Sequence, residues 1–452
     1  MRETELLTRA ECRRIFEAAL GAAGKLGVRE VEVTVGATAS ALTRFANNAI
    51  HQNVAERRGQ ASVRVAVEGR TARATTNRVD AAAVGAAVAE ATALARARAP
   101  DPEAVALAEG AEIAEVERWC AATARCAPGE RAAAVAAAVG VVESAGQTAA
   151  GIYATSQAAE AVLNSRGVFA YYTDTLAQFS ITAMGEDASG WAKASAVDVA
   201  GIAPVELARR ASHKAAWSRA PRELPPGRYT VILEPAAVED LIGQMFWDFS
   251  ATAMRDQRSF LSGRLGEKLF GENITIADDV CHPLQSGAPF DGEGVPRRRL
   301  ELVERGVPRE VAYSRAAAAR EGRAATGHGF PVPNEYGEAP LNIVMEGGST
   351  PLEEMIASTG RGILVTRAWY IREVDPYEKI MTGLTRDGTF LIEDGRLVCG
   401  VKNFRFNQSL IELLASVEQL SPAVRAAGEE SFDMVAPALK VREFNFTEVT
   451  RF

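Results

Sequence analysis

Apolar and polar residues alternate with period two along much of this chain, and stretches with a period near 3.6 separate the alternating runs. Residues 12–26 bring Ile15, Ala18, Ala19 and Ala22 onto one face, which predicts a helix. Val31-Glu-Val-Thr-Val35 alternates strictly and predicts a strand, as do residues 41–50 and 62–67. Glu68-Gly-Arg70 turns the last of these into residues 71–75, a predicted hairpin. Asp80 is placed to cap an alanine-rich helix that runs to residue 97, with Pro100 and Pro102 beyond its end. Residues 131–144 predict another helix. Four strands are expected next, at 152–155, 159–164, 168–172 and 177–184, with turns at 164–167 and 186–190. The second hairpin, 180–184 with 191–195, resembles the first at 62–75. Internal duplication and shared hairpin chemistry explain that likeness equally well. A helix at 204–216 closes this half.

The best linker is Ala220-Pro-Arg-Glu-Leu-Pro-Pro-Gly227, whose prolines favour a stiff, extended crossing. Beyond it the pattern predicts a strand at 228–233 and a helix at about 235–249. Strands are expected at 300–303, 362–366, 388–392, 396–399 and 438–446, and a helix at 409–417. No long βαβ alternation is present. The expected fold is α+β, with mainly antiparallel sheets and flanking helices. Its domains are 1–220 and 228–452, joined by a Pro-rich linker at 221–227.

Composition narrows the class. The chain has 452 residues, 47% hydrophobic and 24% charged, the balance of a globular protein. A formal net charge of −8 argues against a broad nucleic-acid or anionic-membrane surface. No apolar run reaches the ~18 residues of a membrane span. The first eight residues, Met1-Arg-Glu-Thr-Glu-Leu-Leu-Thr8, carry acids where a secretion signal would be basic and then apolar. The expectation is a cytoplasmic protein, contacting neither nucleic acid nor membrane.

Few motifs carry chemistry by themselves. Cys12, Cys120, Cys126, Cys281 and Cys399 are scattered, and no CxxC occurs. His51, His213, His282 and His328 include no pair at helical spacing. No P-loop, GxGxxG or GxSxG is present. Asp278-Asp-Val-Cys-His282 gathers possible ligands but reads as a solvated turn after a strand. Thr326-Gly-His-Gly329 sets His328 between glycines, where backbone can approach a ligand closely; an ordinary flexible loop fits as well.

A set of longer segments is more specific together than singly. These are Tyr229-Thr-Val-Ile-Leu-Glu-Pro235, Ser259-Phe-Leu-Ser-Gly-Arg-Leu-Gly-Glu-Lys-Leu-Phe270, Pro289-Phe-Asp-Gly-Glu-Gly-Val295, Leu302-Val-Glu-Arg-Gly306, Ala325-Thr-Gly-His-Gly329, Gly360-Arg-Gly-Ile-Leu-Val-Thr366 and Leu391-Ile-Glu-Asp-Gly-Arg396. In order and spacing they resemble the TldD/PmbA family, once described as modulators of DNA gyrase. The resemblance implies a heterodimeric metallopeptidase whose TldD-type subunit carries HExxxH on the helix after the first strand of the second domain. There two histidines hold zinc, the glutamate serves as general base, and a C-terminal cysteine is implied to complete the site. In this chain the motif falls on Gly243-Gln-Met-Phe-Trp-Asp248. Gly243 replaces the first histidine, Gln244 the base and Asp248 the second histidine, and no cysteine follows Cys399.

The chain therefore resembles the TldE/PmbA-type subunit, which lacks the metal site. The resemblance implies no catalytic residue, no metal and no cofactor here, with zinc in an HExxxH-bearing TldD-like partner and a peptide as substrate. Thr382-Gly-Leu-Thr-Arg-Asp-Gly388 and the insertion Asp375-Pro-Tyr-Glu-Lys379 depart from the family pattern and mark a divergent branch. Candidate chamber-lining residues are His328, Gly347, Gly348, Thr382, Thr385 and Arg386. Two alternatives remain open: a stand-alone homodimeric binding or scaffold protein, and a hydrolase with a different site built on Asp248, Glu239 and His328. Against the latter, Glu239 and Asp240 are adjacent and expected to point apart on a helix.

Overall fold

The computed structural model describes residues 6–450. The reading of the first eight residues rests largely on residues 1–5, which lie outside that range. The first half is built on one six-stranded antiparallel sheet of β1 (Glu30–Ala46), β2 (Ala49–Val67), β3 (Arg70–Thr76), β4 (Thr148–Asn164), β5 (Phe169–Met184) and β6 (Ser189–Ala196). Their order across the sheet is β3-β2-β1-β4-β5-β6. Helices Arg9–Lys25 and Ala81–Ala97 flank the first three strands in sequence, and Pro128–Ser144 and Pro204–Trp217 flank the last three. A helix, a three-strand meander and a helix thus occur twice, meeting where β1 pairs with β4. The two similar hairpins occupy matching places in the two repeats, β2–β3 and β5–β6.

Several predicted strands were cut in the wrong place. The four strands expected between 152 and 184 are two long ones, Thr148–Asn164 and Phe169–Met184. The strand expected at 41–50 is interrupted because Asn47 and Asn48 both take left-handed backbone, with φ of 50° and 61°. Two consecutive left-handed residues make the tight turn that suits a twisted hairpin. Asn48 also fastens the turn to β4, its Oδ1 accepting from Ala149 N at 2.6 Å. The first helix starts earlier than its apolar spacing predicts, because Thr8 caps it reciprocally with Glu11.

Period two divides the sheet into faces of different character. Val31, Val33, Val35, Phe45, Phe179 and Ile181 point to the side covered by the four helices, in two apolar clusters. The alternate residues Glu32, Arg64, Arg73, Glu160, Tyr172 and Lys193 lie on the other face. Much of that face packs on the second half of the chain: Arg73 Nε donates to Val332 O at 2.7 Å, and Arg64 Nη1 lies 3.5 Å from Glu293 Oε2.

The second half holds the largest apolar core. Strands Arg361–Asp375, Gly227–Leu233, Leu439–Val449, Phe404–Ser409 and Ile380–Glu393 pair in that order, and the last pairs back on the first, closing a ring. A smaller six-stranded sheet contains Ile276–Asp278, Leu300–Glu304 and Ile343–Met345. The fold is α+β with mainly antiparallel sheets and flanking helices. Between the strands of the described residues, parallel pairing joins Gly227–Leu233 to Arg361–Asp375 and Ile343–Met345 to Met434–Ala436, and isolated parallel bridges join Arg118 to Asp174, Arg222 to Val401 and Ser250 to Ala312. Among the described residues no helix is long and apolar enough to cross a membrane.

Candidate functional site

Strand Gly227–Leu233 delivers the chain into helix Pro235–Ile242, with Pro235 at its first turn. The helix expected to reach residue 249 stops at Gly243. Residues Gly243–Asp248 continue as a tighter 3-10 helix.

Each motif position is occupied by structural work. A Cβ on Gly243 would lie 1.9 Å from Ser431 Oγ and 3.2 Å from Met434 Cε. Gln244 Nε2 donates to Asp240 O at 3.3 Å and Glu430 O at 2.9 Å. Asp248 is buried, and its Oδ2 receives the Lys379 ammonium at 2.5 Å. Lys379 belongs to the inserted hairpin turn and also contacts Glu373 at 2.5 Å. Burial pushes the Asp248 carboxyl upward, opposed by the Lys379 charge. These positions do not fit a zinc ion. Gly243 has neither donor nor space, the Gln244 amide is spent on two carbonyls, and Asp248 is held by a cation.

The acids of the preceding helix do not point apart. Glu239 and Asp240 are both fully buried and both hold the chain at 428–430. Gly428 N donates to Glu239 Oε2, and Glu429 N and Glu430 N donate to Asp240 Oδ1 at 2.8 and 2.9 Å. Glycine is needed at 428, since a Cβ there would sit 2.3 Å from Asp240 Oδ1. Burial, and then the Asp240 charge, push the Glu239 carboxyl up to about 9. Asp240 is pushed up to about 6 by burial, opposed by the Glu430 and Glu429 amides. Lys193 of β6 donates to Gly428 O at 2.5 Å, so the first half grips the same segment.

The other sequence-predicted residues lie apart. His328 is 1% exposed, with Nδ1 3.0 Å from Thr326 Oγ1 and Nε2 3.1 Å from Asp278 Oδ1. It does not line an open chamber. Its flanking Gly327 serves packing, since a Cβ there would lie 2.1 Å from Pro296 O. The solvated turn expected at 278–282 begins after Asp278, with Cys281 exposed; Asp278 itself is fully buried at the end of a strand, its carboxylate facing the core and accepting from Asn342 N at 2.9 Å. Gly347 and Gly348 are exposed but press on the backbone of residues 420–423. Thr385 is buried, bonded to Thr389 and Phe404 N. Thr382 is half-buried, and exposed Arg386 lies 5.0 Å over the Trp369 ring. The alternative hydrolase set does not assemble either. Asp248 is bound to Lys379, Glu239 to Gly428 and His328 to Asp278, with no contact shared among the three.

Sequence reasoning missed two features. Lys379 stood in the quoted insertion, but its partner lies 131 residues away. An aromatic cluster also surfaces at the motif. Trp247, 50% exposed, stacks on Phe330 at 5.8 Å and meets Tyr336, 70% exposed, at 6.3 Å.

Comparison with known proteins places this geometry. Residues 226–448 match the PmbA/TldA metallopeptidase C-terminal domain, 86–219 the central domain and 31–95 domain 1. An uncharacterized protein of Methanocaldococcus jannaschii is 32% identical over 175 residues, 37% of this chain and 40% of that protein. A metalloprotease of Methanothermobacter thermautotrophicus is 25% identical over 279 residues, 59% of this chain and 60% of that one. The chain thus spans about half the length of the curated relatives it matches. The solved structure of TldE from Thermococcus kodakarensis superposes with a TM-score of 0.87 at 22% identity, covering 96% of this chain and all of that one. A Thermotoga maritima structure described as a modulator of a DNA gyrase gives 0.85 at 21%, with the same coverage. At these identities the superpositions establish the fold alone.

Proposed function

Because the chain belongs to the PmbA/TldD metallopeptidase family, we propose that it is the subunit without zinc in a two-subunit peptidase, pairing with an HExxxH-bearing relative. The observation that carries this reading is Gly243 packed under Ser431, with Asp248 held by Lys379. A histidine at the first position would have to displace Ser431, and the second is committed to a buried ion pair. The likeness to a solved TldE supports the same assignment at the level of fold.

On this reading the chain's own residues shape and hold substrate. Peptides would lie extended, because exposed sheet edges recognise backbone regardless of sequence. Gly347, Gly348, Thr382 and Arg386 reach the surface and remain chamber-wall candidates, whereas His328 and Thr385 are enclosed and would act only by holding loops. Trp247, Phe330 and Tyr336 add an apolar surface beside the motif. The partner would supply zinc and the general base.

The test is co-expression with an HExxxH-bearing relative, with zinc measured by mass spectrometry and cleavage measured on unfolded peptides. The expected result is no zinc and no cleavage by the chain alone, and both in the pair, with cleavage abolished by a chelator. Stoichiometric zinc with cleavage by the isolated chain would sink the proposal. Failure of the two chains to associate would return the reading to a stand-alone homodimeric binding or scaffold protein.

A further inference from the structure

Charges on the polar face of the first-half sheet are mostly answered. Glu32 receives Arg73 at 2.6 Å, Glu56 pairs with Arg58 at 2.7 Å, and Lys193 lies 3.5 Å from Glu429. Two acids are exceptions: Glu160 of β4 and Asp174 of β5 make no ion pair among the described residues. The strand register sets Glu160 opposite Tyr172 and Ala158 opposite Asp174, so the three polar side chains stand on one face. Glu160 and Asp174 are diagonal neighbours, about 7 Å apart at the backbone. Tyr172, beside both, is 6% exposed, and its Oη has no hydrogen-bond partner. The nearby cations are committed elsewhere. Arg118 Nη2 donates to Val280 O at 2.6 Å and His282 O at 3.1 Å, and Arg425 Nη2 to Asp433 Oδ2 at 3.2 Å. Arg297 favours the ionised Glu160 from a distance but forms no ion pair with it. Burial pushes both carboxyls above the usual carboxylate range, and at Glu160 the Asp174 charge adds to the push. Glu160 is nonetheless exposed, at a cavity of about 650 Å³ lined by the small residues Gly36, Thr38 and Ala158. An acid inside a concavity meets solvent at its tip while the surrounding protein still disfavours its charge.

We propose that Glu160, Asp174 and Tyr172 bind a primary ammonium group, that of a peptide's N-terminus or of a lysine side chain. A primary ammonium has three N–H donors, and this face offers three acceptors, two carboxylates and a phenol oxygen. The two carboxylates lack a close counter-ion, and a bound ammonium supplies one while it also satisfies the buried Oη. The adjoining cavity has room for the residues attached to the amine, because its small side chains leave the sheet surface open. The proposal rests on the reading that the substrate is a peptide, and names the group of that peptide which this chain holds.

Isothermal titration calorimetry of the full chain with unstructured octapeptides tests this. Three are compared: a lysine-free peptide with a free N-terminus, the same peptide acetylated, and an acetylated peptide with one internal lysine. The expected result is that an amine-bearing peptide binds at least about tenfold more tightly than the acetylated lysine-free one. Which of the two amines binds identifies the source of the ammonium. Glu160→Gln and Asp174→Asn should each reduce that preference by at least about fivefold, and Tyr172→Phe by about threefold, with circular dichroism unchanged. Equal binding of all three peptides overturns the proposal and leaves the peptide reading standing. Binding of none also overturns the site, while the peptidase reading is decided separately by cleavage in the co-expressed pair. A preference that survives Glu160→Gln combined with Asp174→Asn would place the amine elsewhere and overturn it as well.

Discussion

Gly243 shows how one position can lose a function and acquire a structural constraint. A missing side chain at a ligand position is ambiguous in sequence, since a neighbouring donor can replace it. The structure removes that ambiguity by filling the space with Ser431, 2.6 Å from where a Cβ would stand. Gly243→His should therefore destabilise the fold by roughly 1–3 kcal/mol through overpacking. The triple change with Gln244→Glu and Asp248→His should still bind no zinc. Denaturant unfolding and metal analysis of purified variants check both parts. A stable triple variant carrying stoichiometric zinc would show that the segment at 428–431 yields easily and that the site is dormant, not dismantled.

At the scale of elements, the legibility of the sequence followed locality. Alternation and turn residues marked both meanders and the Pro-rich crossing, because period two and turn chemistry are local. The continuity of β4 and β5 was missed because small and polar residues interrupt the apolar run along each strand. The end of the helix at Gly243 depends on a segment almost 190 residues away. So does the convergence of Glu239 and Asp240, which a helical projection sends apart. Their shared grip on residues 428–430 predicts a pH effect with a definite sign. The Glu239 carboxyl is raised to about 9 in the folded protein by burial, then by Asp240. Its contribution is then fully present below the ordinary carboxylate range and is lost as pH rises toward 9. Glu239→Gln, which mimics the neutral form, should match the parent near pH 5. It should become the more stable of the two, by a few kcal/mol, near pH 9. Paired melting curves across this range isolate the effect from other titrating groups. A difference that is flat with pH would mean that Glu239 is ionised in the folded state.

For the whole molecule, the polar face of the first-half sheet is the surface on which the two halves meet, and charges are buried there. Glu293 of the second half lies 3.5 Å from Arg64 and 3.1 Å from Arg315, while Glu32 receives Arg73 at 2.6 Å. Glu32, Arg64 and Glu293 are each 2% exposed or less. Removing Glu293 leaves excess positive charge around the buried Arg64, which keeps only Glu32 at 3.7 Å, at a cost of about 3–5 kcal/mol. Glu293→Ala should cost that much and should also loosen the coupling between halves. Trp119, Trp191 and Trp217 report on the first half, and Trp247 and Trp369 on the second. The parent should unfold in one transition, seen equally by circular dichroism and tryptophan fluorescence, and Glu293→Ala in two. The contrast is Arg320 with Glu103, which also joins the halves but is exposed. Surface pairs contribute at most about 1 kcal/mol, so Glu103→Ala should leave both midpoint and cooperativity unchanged. Equal effects from the two variants would mean that apolar contact, not the buried charge set, couples the halves.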